Sequence, residues 1–186
     1  MYGRIVNKGE NRMEYWDIYD IERNKTGKEV LRGDKLNDGE YRLVVHACIF
    51  NSKGQMLIQQ RQSFKDGWPN MWDLTCGGSA IKGETSQMAI DRELKEELGI
   101  EIKSMRPHIT INFENGFDDI YLIEKEVDID SLKLQYEEVQ NVKWASKEEI
   151  IAMIEENVFI PYYPSLISLL FETYKHYGVR MRKDEK

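Results

Sequence analysis

With 186 residues, a formal charge of -7 and 41 % hydrophobic residues, the chain is long enough for one domain with a proper core, and too acidic for a nucleic-acid polymer or an anionic membrane to be its main partner. The start, Met1 to Glu10, lacks the apolar core of a secretory signal, and no run approaches the roughly 18 apolar residues of a membrane span, so a cytoplasmic protein is expected. Cys48 and Cys76 lie in apolar, strand-like runs and read as buried, reduced thiols.

The first element is a hairpin over residues 13 to 32, with Tyr15 to Tyr19 alternating, a turn through Asn24 to Gly27 and a return along Glu29 to Leu31. It either covers a sheet or pairs with a second subunit. The apolar run Leu43 to Phe50, the turn Asn51 to Gly54 and the run Met56 to Gln60 predict two buried strands. Met71 to Cys76 is the next strand candidate and leads into a glycine pair. Thr85 or Ser86 caps a helix running to Leu98, stopped by Gly99. Two alternating runs, His108 to Phe113 and Ile120 to Glu124, flank a turn over Glu114 to Asp118, and Val139 to Trp144 forms a last strand. Ser146 with Glu149 is a capping-box pattern opening a helix through Glu156. A third helix over Tyr163 to Tyr177 carries Leu166, Leu169, Leu170 and Tyr174 at helical spacing, to pack against the sheet. Mixed strands with helices on either side predict an α/β sandwich. The expected organisation is an N-terminal hairpin extension (1–40), a main domain (41–178) and a charged tail (179–186).

The chemistry is concentrated after the glycines. Glu93, Glu96 and Glu97, at i, i+3 and i+4, fall on one face of the predicted helix, where their like charges oppose folding unless a cation sits among them. Hard oxygen ligands without His or Cys select magnesium, manganese or calcium over zinc, and magnesium keeps positions open for water and phosphate. Ile90, Leu94 and Leu98 form the stripe that anchors the helix beside this acidic edge.

The order Gly78, five residues, Glu84, seven residues, Arg92-Glu93, an aliphatic, any residue, Glu96-Glu97, any residue, Gly99, an aliphatic resembles the Nudix hydrolase signature at every defined position. The resemblance implies a mixed sheet between helices over about residues 41 to 178, with Mg2+ (or Mn2+) as cofactor. It further implies a small-molecule diphosphate as substrate, a nucleoside diphosphate linked to another moiety, and homodimerisation. It assigns metal binding to Glu93, Glu96 and Glu97, helped by the Gly77 carbonyl, and makes Glu84 and Arg92 a brace for the loop.

Hydrolysis needs a water deprotonated and aimed at phosphorus. Family members place the base either in the motif or on a distant loop, and Glu138 is the candidate for the second position, with Glu137 as alternative. Arg61 and Lys65 lie where similar proteins place phosphate-facing cations, with a bidentate phosphate contact favoured for Arg61 and a surface salt bridge as the alternative for each. Trp68 could stack on a base, whereas Trp72 reads as core. His46, His108 and His176 lack the spacing of a zinc helix, and Cys76 reads as a small buried hydrophobe.

Trp16 to Asp20, Phe50 to Gly54 and Gln60 to Trp72 also look like the branch of the superfamily near isopentenyl diphosphate isomerase. That enzyme uses a cysteine and histidines around its metal, and the matching positions are Gly77, Ser79 and Arg42, which counts against isomerisation. A third reading, a nucleotide-metabolite sensor without turnover, sits poorly with an intact motif.

Overall fold

The computed structural model describes residues 13–103 and 106–176. The expected tail, 179–186, and the end of the third predicted helix, Tyr177, lie outside them. The predicted hairpin is present as β1 (Tyr15–Tyr19) and β2 (Lys25–Leu31), an antiparallel pair with its own small core of Trp16, Ile18 and Leu36. It is bonded to the rest of the chain through a bridge between Tyr19 and Tyr41.

The main sheet comprises β3 (Arg42–Phe50), β4 (Met56–Arg61), β5 (Trp72–Asp73), β6 (Cys76–Ser79), β7 (Ile109–Phe113), β8 (Gly116–Glu124) and β9 (Val139–Ala145). Its helices are α1 (Ser86–Leu98), α2 (Lys147–Glu155) and α3 (Pro164–Thr173). The sheet is mixed: β3 and β8 run parallel over nine paired residues and the other pairs are antiparallel. Alternation along β3 sends Val45, Ala47 and Ile49 into a core with Ile90, Leu94 and Leu98 of α1. Cys48 and Phe50 enter a second core with Ile150 and Met153 of α2 and Ile167 and Leu170 of α3. Period-two side-chain direction thus produces the three layers. Both cysteines are free and buried. Among the described residues no helix is long and apolar enough to cross a membrane.

Three expectations change in detail. The strand expected over 71–76 is two short strands, because the chain crosses there from β4 to β3 with Thr75 at the junction. The turn expected over 114–118 is shorter, with β8 starting at Gly116, since Phe117 and Asp119 are buried. In α3, Leu169 faces outward at 44 % exposure, and Ile167 takes the core position with Leu170.

Candidate active site

A fork in the sheet builds the site. β3 and β4 pair only at Ile49–Leu57 and Phe50–Met56 and then diverge. Beyond that point β3 takes β6 as partner and β4 takes β5 and β9. Thr75 pins the crotch: its hydroxyl accepts the Ile49 N–H at 2.9 Å and donates to the Leu57 carbonyl. The helix α1 lies across the fork, so that its acidic side chains meet one arm each.

The helix is well specified locally. Thr85 Oγ1 accepts the Met88 N–H at 3.2 Å, and Gly99, at φ +70°, closes the other end by donating to Lys95, while Ile100 donates to Leu94. Those bonds satisfy orphan groups at both termini.

On the β6 arm, a Cβ on Gly78 would stand 2.1 Å from Glu93 Oε1, so only glycine lets the carboxylate lie against the backbone. A Cβ on Gly77 would likewise meet the His46 ring at 2.2 Å. On the β4 arm, Gln59 Nε2 donates to Glu97 Oε2 at 3.1 Å. Glu93 and Glu97 are both buried. Burial raises the pKa of Glu93 against the lowering effect of Arg92. Burial, then the charges of Glu93 and Glu138, push Glu97 up to about 8.

Glu93 and Glu97 are buried and Glu96 is exposed, and Arg92 Nη1 links Glu93 Oε1 at 2.9 Å to Glu96. Glu96 Oε2 accepts from Arg92 at 3.0 Å on the exposed side of the helix. Among the described residues no three His, Cys, Asp or Glu side chains form a ready metal cluster. A hard divalent cation nonetheless fits the donors present: two buried carboxylates that oppose one another, and Gln59 Oε1, which is buried without a hydrogen-bond partner.

Arg92 and Glu84 are bonded side chain to side chain. The arginine forks onto Glu84, Nε to Oε1 at 2.7 Å and Nη2 to Oε2 at 3.1 Å, and also bonds the Ser79 carbonyl at 3.3 Å. Burial opposes its charge, but Glu84, Glu93 and Glu96 together outweigh it and hold Arg92 more firmly protonated. Glu84 Oε2 in turn accepts the Ile81 N–H at 2.9 Å.

The hairpin grips the loop at Lys82, Gly83 and Glu84. Lys82 N–H donates to Tyr15 O at 2.7 Å, Gly83 N–H to Asp17 Oδ2 at 2.8 Å, and Lys25 Nζ to the Glu84 carbonyl at 3.0 Å.

Glu138 is half-buried and its charge reaches Glu97, whereas Glu137 is exposed. Lys65 Nζ bonds Glu138 Oε2 at 2.6 Å. Arg61 donates to the Gly67 carbonyl at 3.0 Å and lies 3.7 Å from Asp73. Trp68 is 50 % exposed, and Trp72 packs partly buried on the second core. His46 bonds Asp118 at 2.8 Å; burial disfavours its charged ring, but Asp118 with Asp73 and Glu97 outweighs burial and raises it to about 9.

Gln59 and Thr75 were missed from sequence. A polar residue inside an apolar strand was the available signal for Gln59, and no local signal marks Thr75.

The NUDIX domain family model matches residues 40–164. The chain belongs to the Nudix family. It is 51 % identical over 153 residues to a Nudix hydrolase of Listeria monocytogenes, covering 81 % of this chain and 90 % of that one. It is 28 % identical over 146 residues to an isopentenyl-diphosphate Delta-isomerase of an Enterobacter species, covering 73 % of this chain and 79 % of that one. Among solved structures, the Nudix-domain fold described above resembles DR0079 of Deinococcus radiodurans, with a TM-score of 0.71, 26 % identity and coverage of 87 % of this chain and 99 % of that one. The hairpin lies ahead of the segment that the Nudix family model matches.

Proposed function

We propose that this Nudix hydrolase is a divalent-metal-dependent pyrophosphohydrolase that splits a diphosphate linkage in a nucleoside diphosphate joined to another moiety, by attack of water at phosphorus. One observation carries the reading: Glu93 and Glu97 are buried together against Gly78 and Gln59, a pair of like charges that a cation would reconcile. Glu93, Glu97 and, after release from Arg92, Glu96 would hold Mg2+ or Mn2+ together with the Gly77 carbonyl. When bound, the ion would supply Lewis-acid stabilisation of the charge that grows on phosphate oxygens. Gln59 bonds Glu97, Arg92 bonds Glu84 beside the loop, and Glu138, which pairs with Lys65, would accept the proton of the attacking water.

Isomerisation is disfavoured at the same site. The position matching the isomerase cysteine is Gly77, and any side chain there collides with His46.

The test is a magnesium-supported screen of diphosphate-containing metabolites with both products identified by mass. Glu97→Gln is expected to lower turnover of the best substrate by about a hundredfold or more, the scale of losing one group that stabilises developing charge. Undiminished hydrolysis by that variant would remove the proposed site.

A further inference from the structure

The two cations expected to face substrate are engaged with the protein, Lys65 with Glu138 and Arg61 with Gly67 and Asp73. A different arginine is placed otherwise. Arg42 opens β3, half-buried, and its guanidinium stacks over Trp16 of the hairpin at 4.8 Å and faces Phe113 of β7 at 5.4 Å. The two rings pack against the group and restrict it, leaving its N–H donors to other partners.

One of those donors is used: Nη1 bonds Ser79 Oγ. Among the described residues Arg42 takes part in no ion pair, in contrast to Arg23, Arg61 and Arg92. Ser79 directly follows Gly78, the residue that touches Glu93, so one short strand carries the acidic site and the Arg42 contact side by side. Arg32, just past β2 and held by Glu14 at 2.5 Å, brings a second positive charge that acts on both Arg42 and Glu93. Burial and then the charge of Arg32 oppose the charge on Arg42, with Asp118 acting the other way, and an anion bound at the donors of Arg42 would offset both.

We propose that Arg42, with Arg32 beside it, forms an anion subsite for the second phosphoryl group of a diphosphate whose first lies at Glu93 and Glu97. The proposal deepens the hydrolase reading and rests on it for the identity of the anion. The bidentate edge of Arg42 suits two phosphate oxygens, and its stacking means little side-chain freedom is lost on binding.

Titration calorimetry of the full chain with inorganic pyrophosphate, in buffer containing a chelator, tests the subsite apart from any metal. The wild-type protein binds, Arg42→Met weakens binding about tenfold or more through loss of a charge-assisted bond, and Arg42→Lys falls between them. Lys28→Met, which removes a charge from an exposed position on the same hairpin, leaves binding within about twofold. Binding by Arg42→Met equal to wild type, or no binding by wild type, overturns the subsite. If Arg42→Met fails to fold, Arg32→Met must show the loss, and undiminished binding by it has the same force. A protein that binds pyrophosphate through Arg42 yet cleaves no diphosphate with magnesium keeps the subsite and loses the hydrolase reading. Hydrolysis with an unaltered KM in Arg42→Met does the reverse.

Discussion

Burial of Glu97 beside Glu93 ties stability to pH. Its folded pKa is raised from 4.5 to about 8, so the folded protein holds a proton that the unfolded chain has released. The associated stability is fully present below 4.5 and is lost as pH rises through about 8. His46, raised from 6.5 to about 9 by Asp118 with Asp73 and Glu97 against burial, loses its contribution over that higher window. The melting temperature of metal-free protein should therefore fall between pH 4.5 and 6.5 through the carboxylates alone, and Glu97→Gln should reduce that slope. Glu93, also shifted upward by burial, keeps part of it. Thermal melts across pH in a chelating buffer check this, and an unchanged slope in the variant rejects it. A neighbouring prediction concerns backbone approach. Gly78→Ala puts a methyl 2.1 Å from Glu93 Oε1, which should cost about 1–3 kcal/mol of stability and displace the carboxylate enough to lower turnover about tenfold or more. Gly67→Ala meets no atom within 4 Å and should be silent in both the denaturant titration and the assay.

At the scale of elements, the fork between β3 and β4 depends on one hydroxyl. Thr75→Val leaves the buried Ile49 N–H and Leu57 carbonyl without it, which should cost about 1–3 kcal/mol, and Thr75→Ser should restore most of the loss in urea unfolding. Because Gln59 and Gly78 stand on opposite arms, the valine variant should also lose turnover. This fork explains what was legible beforehand. The helix α1, with its Thr85 cap, its Gly99 stop and its Ile90, Leu94 and Leu98 stripe, is written in local spacing and could be read directly. So could the layers, since alternation along β3 reports both cores. The partnership of Gln59 with Glu97 spans 38 residues, and Thr75 acts only because two distant strands part there. The different exposure of the three carboxylates escaped the spacing argument for a related reason: i, i+3 and i+4 place them on one face, but spacing does not say that Arg92 would pair with both Glu93 and Glu96 while Glu97 is buried against Gln59. Arg61 and Lys65 were visible as cations, whereas Asp73 and Glu138, the carboxylates beside them, come from other strands and loops.

For the molecule as a whole, the hairpin is the part whose importance is easiest to underrate, because the family model begins at residue 40. It seals the first core with Tyr19 against Phe117 and holds the loop at Lys82, Gly83 and Glu84 through Tyr15, Asp17 and Lys25. Arg23 adds a longer tie, pairing with Asp119, a fully buried carboxylate that also takes hydroxyl donors from Ser86 at the start of α1 and Thr110 of β7. Removing residues 1–40 would strip Asp119 of its Arg23 partner and would expose Phe117. The shortened chain should therefore melt well below the full chain. Arg23→Ala isolates the ionic part. Breaking a buried pair from one side costs up to about 3–5 kcal/mol, and here the partly exposed arginine, at 35 %, puts the loss at the lower end. If the cost comes from an uncompensated carboxylate, Asp119→Asn combined with Arg23→Ala should recover stability relative to Arg23→Ala alone. If it comes from lost packing of the hairpin, the second substitution should recover nothing. Chemical denaturation of the four proteins in this cycle decides between the two.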